Sequence, residues 1–303
     1  MISRIGSGQM SRNFLYDLGR NQLAISQAQT QLATGKRLNT PADDPIGTAV
    51  ALGIRDDLAS VKSYQANIAD GTSWLSATDD ALGGYQDILQ NAHALAVQGG
   101  NGTLSTSERG VIADQVLALR DQVVEAGNAS LAGRYLFGGS RTDRPPFSMT
   151  ANAGQPGMQL PVSTGQLARE VAKGQVVGMN ITADQVATPA GAPDVFTTLT
   201  NLANDLRSGN LTAANGADMT DLQVHMDNVS ALRGVVGNKM NRLDATSSRH
   251  STADIARQKQ QADIEDTDMA QAITDLNMRQ SVLQASLAVG SRVMQKSLAD
   301  FLG

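Results

Sequence analysis

The sequence predicts a mainly α protein, with long antiparallel coiled-coil helical rods, paired N- and C-terminal helices and a small β-rich insert. Apolar residues recur every seven positions through two long segments, a repeat that keeps one seam of a helix against a partner. Aromatic residues make up only 3% of the 303 residues, which suits narrow seams between helices. Six of the eight prolines lie between positions 145 and 193, where they exclude long helices.

The N-terminal segment is predicted to form an amphipathic helix that ends near Gly35. Its apolar residues follow one another at helical steps and share one face; they are Phe14, Leu18, Ile25, Ala28 and Leu32. An apolar face of this kind has to be covered by another element.

A helix break follows in TGKRLNTPADDPIGTAVALGIR, residues 34–55. Pro41 and Pro45 lack a backbone N–H and cannot lie inside a helix. Pro45 can occupy the first helical position, and Asp44 before it is a good N-cap acceptor. The sequence therefore predicts an extended connector built around Pro41, Asp43, Asp44 and Pro45. The two aspartates could instead be an acid–base pair, although local capping is the commoner role of such residues.

The longest predicted helix begins at Pro45. Its seven-residue ladder contains only apolar residues: Ile54, Val61, Ile68, Leu75, Leu82, Leu89 and Ala96. About fifty helical residues would extend about 75 Å, so this segment is predicted to be a rod. Glycines in 98–111 end it, and Ser105 with Glu108 fits a capping box that opens the next helix.

The second half mirrors the first around an insert. Short apolar runs such as MQLPV and GQVVGMNIT between 140 and 195 predict strands joined by turns. Helix is predicted to return near 196, with a second rod ladder at Leu222, Val229, Val236 and Leu243. The last helix has its apolar residues at mixed three- and four-residue steps: Ile273, Leu276, Leu283, Leu287, Met294, Leu298 and Phe301.

Three domains follow from this layout. Residues 1–40 and 260–303 would form a terminal helical domain, and 41–140 with 215–259 a helical rod domain. Residues 141–214 would form the β-rich outer insert. Each terminal segment contains few large apolar residues, so we expect the ends to be loose in a lone molecule and ordered by packing between copies. The two ladders and the two terminal faces are therefore the predicted assembly residues.

Several classes of function are disfavoured. A net charge of −5 and a pI of about 5.2 argue against a nucleic-acid partner. No run of about twenty apolar residues predicts a membrane span, and the first twenty residues lack the continuous apolar region of an ordinary secretory signal. The absence of cysteine removes disulfides and thiolate sites.

No catalytic, metal or cofactor site is predicted. His93, His225 and His250 are far apart, and the last two lie on or beside the rod seam, where a wet or hydrogen-bonded histidine is the commoner case. The acidic run 263–268 lacks the glycine and glutamate of a calcium loop, and we interpret it as an acidic helix start.

Three stretches together resemble the flagellin superfamily. They are QAQTQLATGKRLNTPADDPIGTAVALGIR, GRYLFGG and DTDMAQAITDLNMRQSVLQASLAVGSRVMQKSLADFLG. The resemblance covers about 1–140 and 215–303 and leaves the insert unmatched. Within the superfamily, RLNTPADDPIGTAV and the ending VMQKSLADFL look more like a hook–filament junction protein than like filament flagellin.

The resemblance implies a structural role outside the cell. The chain would be exported without a cleaved signal through the flagellar type III pathway, with a cytoplasmic export chaperone holding the C-terminal helix. Its partners would be copies of itself, a hook-side hook-associated protein and flagellin. The terminal helices would form an inner tube, and residues 34–46 would connect it to the outer rods.

Two alternatives stay open at this point. Filament flagellin itself would share every helical feature. An enzyme domain carried on a coiled-coil stalk would place its site in the insert, but residues 140–195 contain no His or Cys. The acids there are sparse: Asp143, Glu170, Asp184 and Asp194. A signalling rod of the chemoreceptor type would normally need a membrane span.

Overall fold

The structure is a computed structural model, which describes residues 3–302 except 153 and 162, and the side chains of residues 9, 11–151, 154–161 and 163–291. The helices are α1 (Ser3–Thr34), α2 (Pro45–Gly99), α3 (Thr106–Gly127), α4 (Ala183–Ala187), α5 (Val195–Ser208), α6 (Leu211–Asn215), α7 (Ala217–Glu265) and α8 (Met269–Leu302). The strands are β1 (Ser130–Leu131), β2 (Arg134–Tyr135), β3 (Phe147–Asn152), β4 (Gln155–Met158), β5 (Ala168–Ala172) and β6 (Gln175–Gly178). The predicted fold class is confirmed, because long helices dominate and the strands form small antiparallel sheets.

The chain divides into two compact units. We call Met1–Ser60 with Thr252–Gly303 the terminal unit, and Val61–Ser251 the central unit. The division differs from the three predicted domains, whose bounds separate the terminal helices from the rods and the rods from the insert. That three-part division stays a prediction about the assembled protein.

In the terminal unit, α1 and α8 lie side by side and run antiparallel. Asn21 donates to the backbone oxygen of Arg279 at 3.2 Å. Near the other end of the pair, the N–H of Thr267 donates to the backbone oxygen of Gly35 at 3.0 Å. The prediction that the two ends of the chain meet is therefore correct.

In the central unit, α2 and α7 also run antiparallel, with the two ladders between them. Gln86 donates to Ser230 at 3.3 Å, and Arg233 donates to both carboxylate oxygens of Asp79 at 2.9 and 3.1 Å. The ladder residues with no exposed surface are Leu75, Leu82, Leu89, Leu222, Val229, Val236 and Leu243. Their heptad spacing keeps them on the shared seam over several turns.

Helices α3 and α5 complete the core of the central unit. Ser105 and Glu108 form the predicted capping box at the start of α3. Asp194 caps α5 by accepting from the N–H groups of Phe196 and Thr197, both at 3.1 Å. The apolar face of α5, including Leu199, is fully buried.

The insert contains hairpins and helices. Strands pair as β3–β4 and β5–β6, and their buried members, including Val171 and Val177, join the same apolar core as the long helices. Helix α5 begins where helix was predicted to return. Helices α4 and α6 were not predicted, because five residues are too few to show a helical period.

Candidate functional site

Two breaks in the helices of the terminal unit meet at one place. One break lies between α1 and α2, and the other lies between α7 and α8. The N–H of Arg37 donates to the backbone oxygen of Glu265 at 2.6 Å, and Lys36 pairs with Asp266 as an isolated antiparallel bridge. Gly35 has φ of +68°, a left-handed conformation that glycine adopts without a side-chain penalty. We call residues 35–44 with 264–268 the connector.

A buried carboxylate holds the connector together. The side chain of Glu265 is 2% exposed and accepts from Lys36 and from Arg55, both at 2.7 Å. Gln261 donates to it at 3.1 Å. Burial by itself would raise the pKa of Glu265, but the hydrogen bonds from Arg55, Lys36 and Gln261 outweigh that effect and lower its pKa to about 2.

The double aspartate caps the backbone on either side of Pro45. The carboxylate of Asp43 accepts from the N–H groups of Thr40 at 2.8 Å and Asn39 at 3.1 Å, and these bonds lower the pKa of Asp43. Asp44 accepts from the N–H of Gly47 at 2.9 Å, which caps α2. The capping interpretation is therefore confirmed, and each carboxylate is occupied by backbone donors.

The cations and the glutamate of the connector were not predicted from the sequence. Lys36 and Arg55 are basic residues on either side of the predicted break, but no spacing rule linked them to an acid more than two hundred positions away. The acidic run 263–268 was interpreted as one helix start, and that was wrong in part. Only Asp268 caps α8, by accepting from Ala270 at 2.9 Å, whereas Glu265 ends α7.

The inner face of the terminal helix pair is narrow and closely packed. The ring of Phe14 lies against Gly290, where an added Cβ would overlap the ring. The buried apolar residues of the pair are Ile25, Ala28 and Ala272. Leu18, Leu32, Leu276 and Leu283 are half-buried. The predicted terminal face is thus brought together within one chain for these residues, and its role between copies stays a prediction.

Other members of the predicted face remain in solvent. Ile273 is 49% and Leu287 is 51% exposed. The side chains of Met294, Leu298 and Phe301 lie outside the described residues. In the predicted rod set, Val61 and Ile68 are buried and Ile54 is half-buried. Fully buried ladder residues stabilise the chain's own core, so any part they play in assembly is indirect.

Both terminal helices carry a second apolar face that the sequence analysis did not identify. Thirteen of the nineteen large apolar side chains found exposed belong to the terminal unit. On α1 they are Leu15, Tyr16 and Leu23, and on α8 they include Met278, Val282 and Val289. A helix that is apolar on several sides is typically covered on several sides. The apolar residues of this second face are visible in the sequence, but the prediction assigned only one apolar face to each terminal helix.

Two of the three histidines, His225 and His250, contact backbone oxygens. His225 is buried, with Nε2 3.0 Å from the backbone oxygen of Pro193, and burial lowers its pKa. His250 has Nε2 2.7 Å from the backbone oxygen of Val171 and stacks on Tyr64. A wet or hydrogen-bonded histidine was expected at both positions, and both are hydrogen-bonded. Among the described residues, no cluster of three or more His, Asp or Glu is arranged to hold a metal ion.

In the described part of the chain, no helix combines the length and the apolar composition that crossing a bilayer requires.

Comparisons with known proteins agree with this geometry. The model of the bacterial flagellin N-terminal helical region matches residues 5–142, and that of the bacterial flagellin C-terminal helical region matches residues 219–302. Flagellar hook-associated protein 3 of Escherichia coli strain K12 is 27% identical over 299 residues, which is 92% of this chain and 94% of that protein.

Solved structures show the same fold. A putative flagellar hook-associated protein from Vibrio parahaemolyticus matches with a TM-score of 0.68 and 24% identity, over 74% of this chain and all of that one. The flagellar junction protein FlgL from Legionella pneumophila matches with a TM-score of 0.58 and 15% identity, over 71% of this chain and all of that one.

Proposed function

This chain belongs to the bacterial flagellin family, and from that membership we propose that it is a structural adaptor of the flagellum that joins the hook to the flagellin filament. The observation that carries the proposal is the full-length match to a flagellar hook-associated protein 3, which covers more than nine-tenths of both chains. The family models account for both helical ends of the chain.

The mechanism is assembly by packing of the terminal helices of neighbouring copies. Its support is the surplus of exposed apolar side chains in the terminal unit, where only Ile25, Ala28, Ala51 and Ala272 are buried among the apolar residues described. Burial of apolar surface is the main favourable term in association, and copies side by side would supply it. The predicted terminal face and the connector are the residues that we assign to assembly.

The partners follow from the junction role. They are other copies of the chain, a hook-associated protein on the hook side, flagellin on the filament side, and a cytoplasmic export chaperone on the C-terminal helix. The protein acts outside the cell as an exported component of the flagellum. Its relatives are structural flagellar proteins, and we assign no catalytic step to it.

Filament flagellin is the second candidate, because the same two family models describe flagellin helices. Immunogold labelling of intact flagella separates the two. The adaptor role predicts a short band of label at the far end of the hook, and label along the whole filament would contradict it. An antibody against flagellin on the same grids provides the control for filament labelling.

A further inference from the structure

The chain contains two Asn-Gly pairs, and they are neighbours in the central unit. Asn101 with Gly102 lies in the loop between α2 and α3, and Asn215 with Gly216 lies at the end of α6. The side-chain Nδ2 of Asn215 donates to the backbone oxygen of Gly100 at 3.0 Å, which brings the two pairs close together. Both pairs have the same two residues, so a difference in their reactivity has to come from the fold.

An Asn-Gly pair can react with itself. The backbone nitrogen of the glycine attacks the side-chain carbon Cγ of the asparagine, and the side-chain nitrogen leaves as ammonia with the proton of the glycine N–H. One water molecule then opens the cyclic imide at either of its carbonyls, which gives aspartate or isoaspartate. Glycine favours the reaction because it has no Cβ to obstruct the ring and its backbone turns freely.

The side chain of Asn101 is held in a conformation that favours this attack. Its Oδ1 accepts from the backbone N–H of Thr103 at 3.1 Å and from the hydroxyl of Thr103 at 2.9 Å. The first bond closes a ring that contains both Cγ of Asn101 and the nitrogen of Gly102, so the side chain is folded back over the peptide bond that carries the nucleophile. Holding two reacting groups together in this way removes part of the entropic barrier.

The two donors of Thr103 also stabilise the charge that develops in the reaction. When the nitrogen adds to Cγ, negative charge appears on Oδ1 of Asn101, the atom to which both groups already donate. In enzymes, removal of one donor at such an oxyanion costs about 10²–10³ in rate. Residues 101–103 are exposed, so water competes for the oxyanion and we expect an effect of several-fold.

The second pair lacks each of these features. The N–H of Gly216 donates to the backbone oxygen of Ala213 at 3.1 Å, so the proton that has to leave is held in a hydrogen bond. The side chain of Asn215 is tied through Nδ2 to Gly100, and within the described chain no donor reaches its Oδ1. By contrast, the N–H of Gly102 makes no hydrogen bond with the part of the chain that the structure describes.

We propose that Asn101 is a site of self-modification, which cyclises with the nitrogen of Gly102 with assistance from Thr103 and is converted to aspartate or isoaspartate while Asn215 is retained. The product adds one negative charge to the loop between α2 and α3. The isoaspartate form also adds one carbon atom to the main chain, which displaces the Asn101 oxygen from its 3.2 Å hydrogen bond with the N–H of Leu104. Because no enzyme has to act, the modified fraction records the age of each molecule.

Peptide mass spectrometry of the purified full-length chain tests the proposal. The protein is incubated at pH 8 and a fixed temperature, and the mass increase of one unit that accompanies deamidation is followed at both asparagines. Methylation by an isoaspartyl methyltransferase measures the isoaspartate fraction. We expect Asn101 to react several-fold faster than Asn215, and equal rates or faster loss of Asn215 would overturn the proposal.

The same incubation in guanidinium chloride separates the effect of the fold from that of the residue pair. In the unfolded chain we expect Asn101 and Asn215 to react at similar rates, because neither has its folded contacts. We expect the folded chain to react at Asn101 at least as fast as the unfolded chain. Slower reaction of Asn101 in the folded chain would show that the loop protects it, which would contradict the proposal.

Variants of Thr103 test the assistance by its hydroxyl. Thr103→Val removes the hydroxyl donor with little change of shape, so we expect the reaction of Asn101 to slow several-fold, whereas Thr103→Ser should keep most of the rate. Thr212→Val, at an exposed threonine beside the other pair, is the matched control and should leave the rate at Asn101 unchanged. Circular dichroism verifies that each variant is folded, and an unchanged rate in folded Thr103→Val would overturn the assisted reaction.

Discussion

At the scale of single residues, the stability of the connector depends on the negative charge of Glu265. Its carboxylate is almost fully buried and accepts from two cations and one amide. A buried charge of this kind is stable only while its partners remain in place. The residue therefore holds two helix breaks together through interactions that a neutral side chain cannot replace.

We expect Glu265→Gln to lower the free energy of unfolding of the terminal unit by about 2–3 kcal/mol at pH 7, because Lys36 and Arg55 lose their charged acceptor. The folded pKa of Glu265 is lowered from 4.5 to about 2. Its stabilisation is therefore present above the unfolded pKa and is lost as the pH falls toward 2. Denaturation followed by circular dichroism at pH 7 and pH 3 should show the two proteins converging at the lower pH; a constant difference would contradict the role of the charge.

Asp218 behaves in the opposite way in the central unit. It is 5% exposed, and burial together with the charges of Asp205 and Asp221 raises its pKa to about 6. Because the folded state holds the proton more tightly, the contribution of Asp218 to stability is greatest below pH 4 and falls as the pH rises through 6.

Asp218→Asn should therefore stabilise the central unit at pH 7.5 by about 1–2 kcal/mol, and the gain should shrink toward pH 4. Fluorescence of Trp74, the single tryptophan, reports unfolding of this unit because that side chain is buried in it. Asp227→Asn, at an exposed position on the same helix, is the control. A gain that does not vary with pH would argue against a buried acid at this position.

At the scale of elements, helix starts and stops were largely predictable. Pro45 with Asp44 marks the start of α2, and Ser105 with Glu108 marks the start of α3, because caps act over three or four residues. The connector was predictable only in its local half. Glu265 could not be assigned, because its partners come from distant parts of the chain and no local pattern records that contact.

Gly290 shows how one position controls a helix pair. In an isolated helix, Gly290→Ala would be favourable by about 1 kcal/mol, but here the added Cβ overlaps the ring of Phe14. We expect Gly290→Ala to weaken the packing of α1 on α8 and to lower the thermal midpoint of the terminal unit, whereas Gly19→Ala should raise it slightly. In a chain that also carries Phe14→Ala, Gly290→Ala should lower the thermal midpoint by less than it does in the natural chain. An equal loss in both chains would show that overlap with the Phe14 ring is not the cause.

At the scale of the whole molecule, the fold class was predictable because periodicity needs no knowledge of distant contacts. The division between contacts within a chain and contacts between chains was not predictable. Hydrophobic spacing on α8 identifies apolar faces but does not say which face meets the chain's own α1. The exposure of Met278 and Val282 and the burial of Ala272 make that distinction.

Removal of residues 283–303 tests the assignment of assembly to the terminal unit. The truncated chain loses the C-terminal part of α8, including Gly290 that packs against Phe14, but it keeps the whole central unit. We expect it to remain soluble and largely helical, with unchanged Trp74 fluorescence and no incorporation into flagella. Normal filament attachment by the truncated chain would show that the C-terminal helix is not required.

The pairing of Lys36 with Glu265 has a consequence for timing. The two residues are separated by 229 positions along the chain, so neither end can finish this joint until nearly all of the polypeptide is available. A partly delivered molecule would carry an unmatched cation or an unmatched acid at its unfinished joint. The connector can therefore form only when the full-length chain is present, and we expect incomplete chains to assemble poorly.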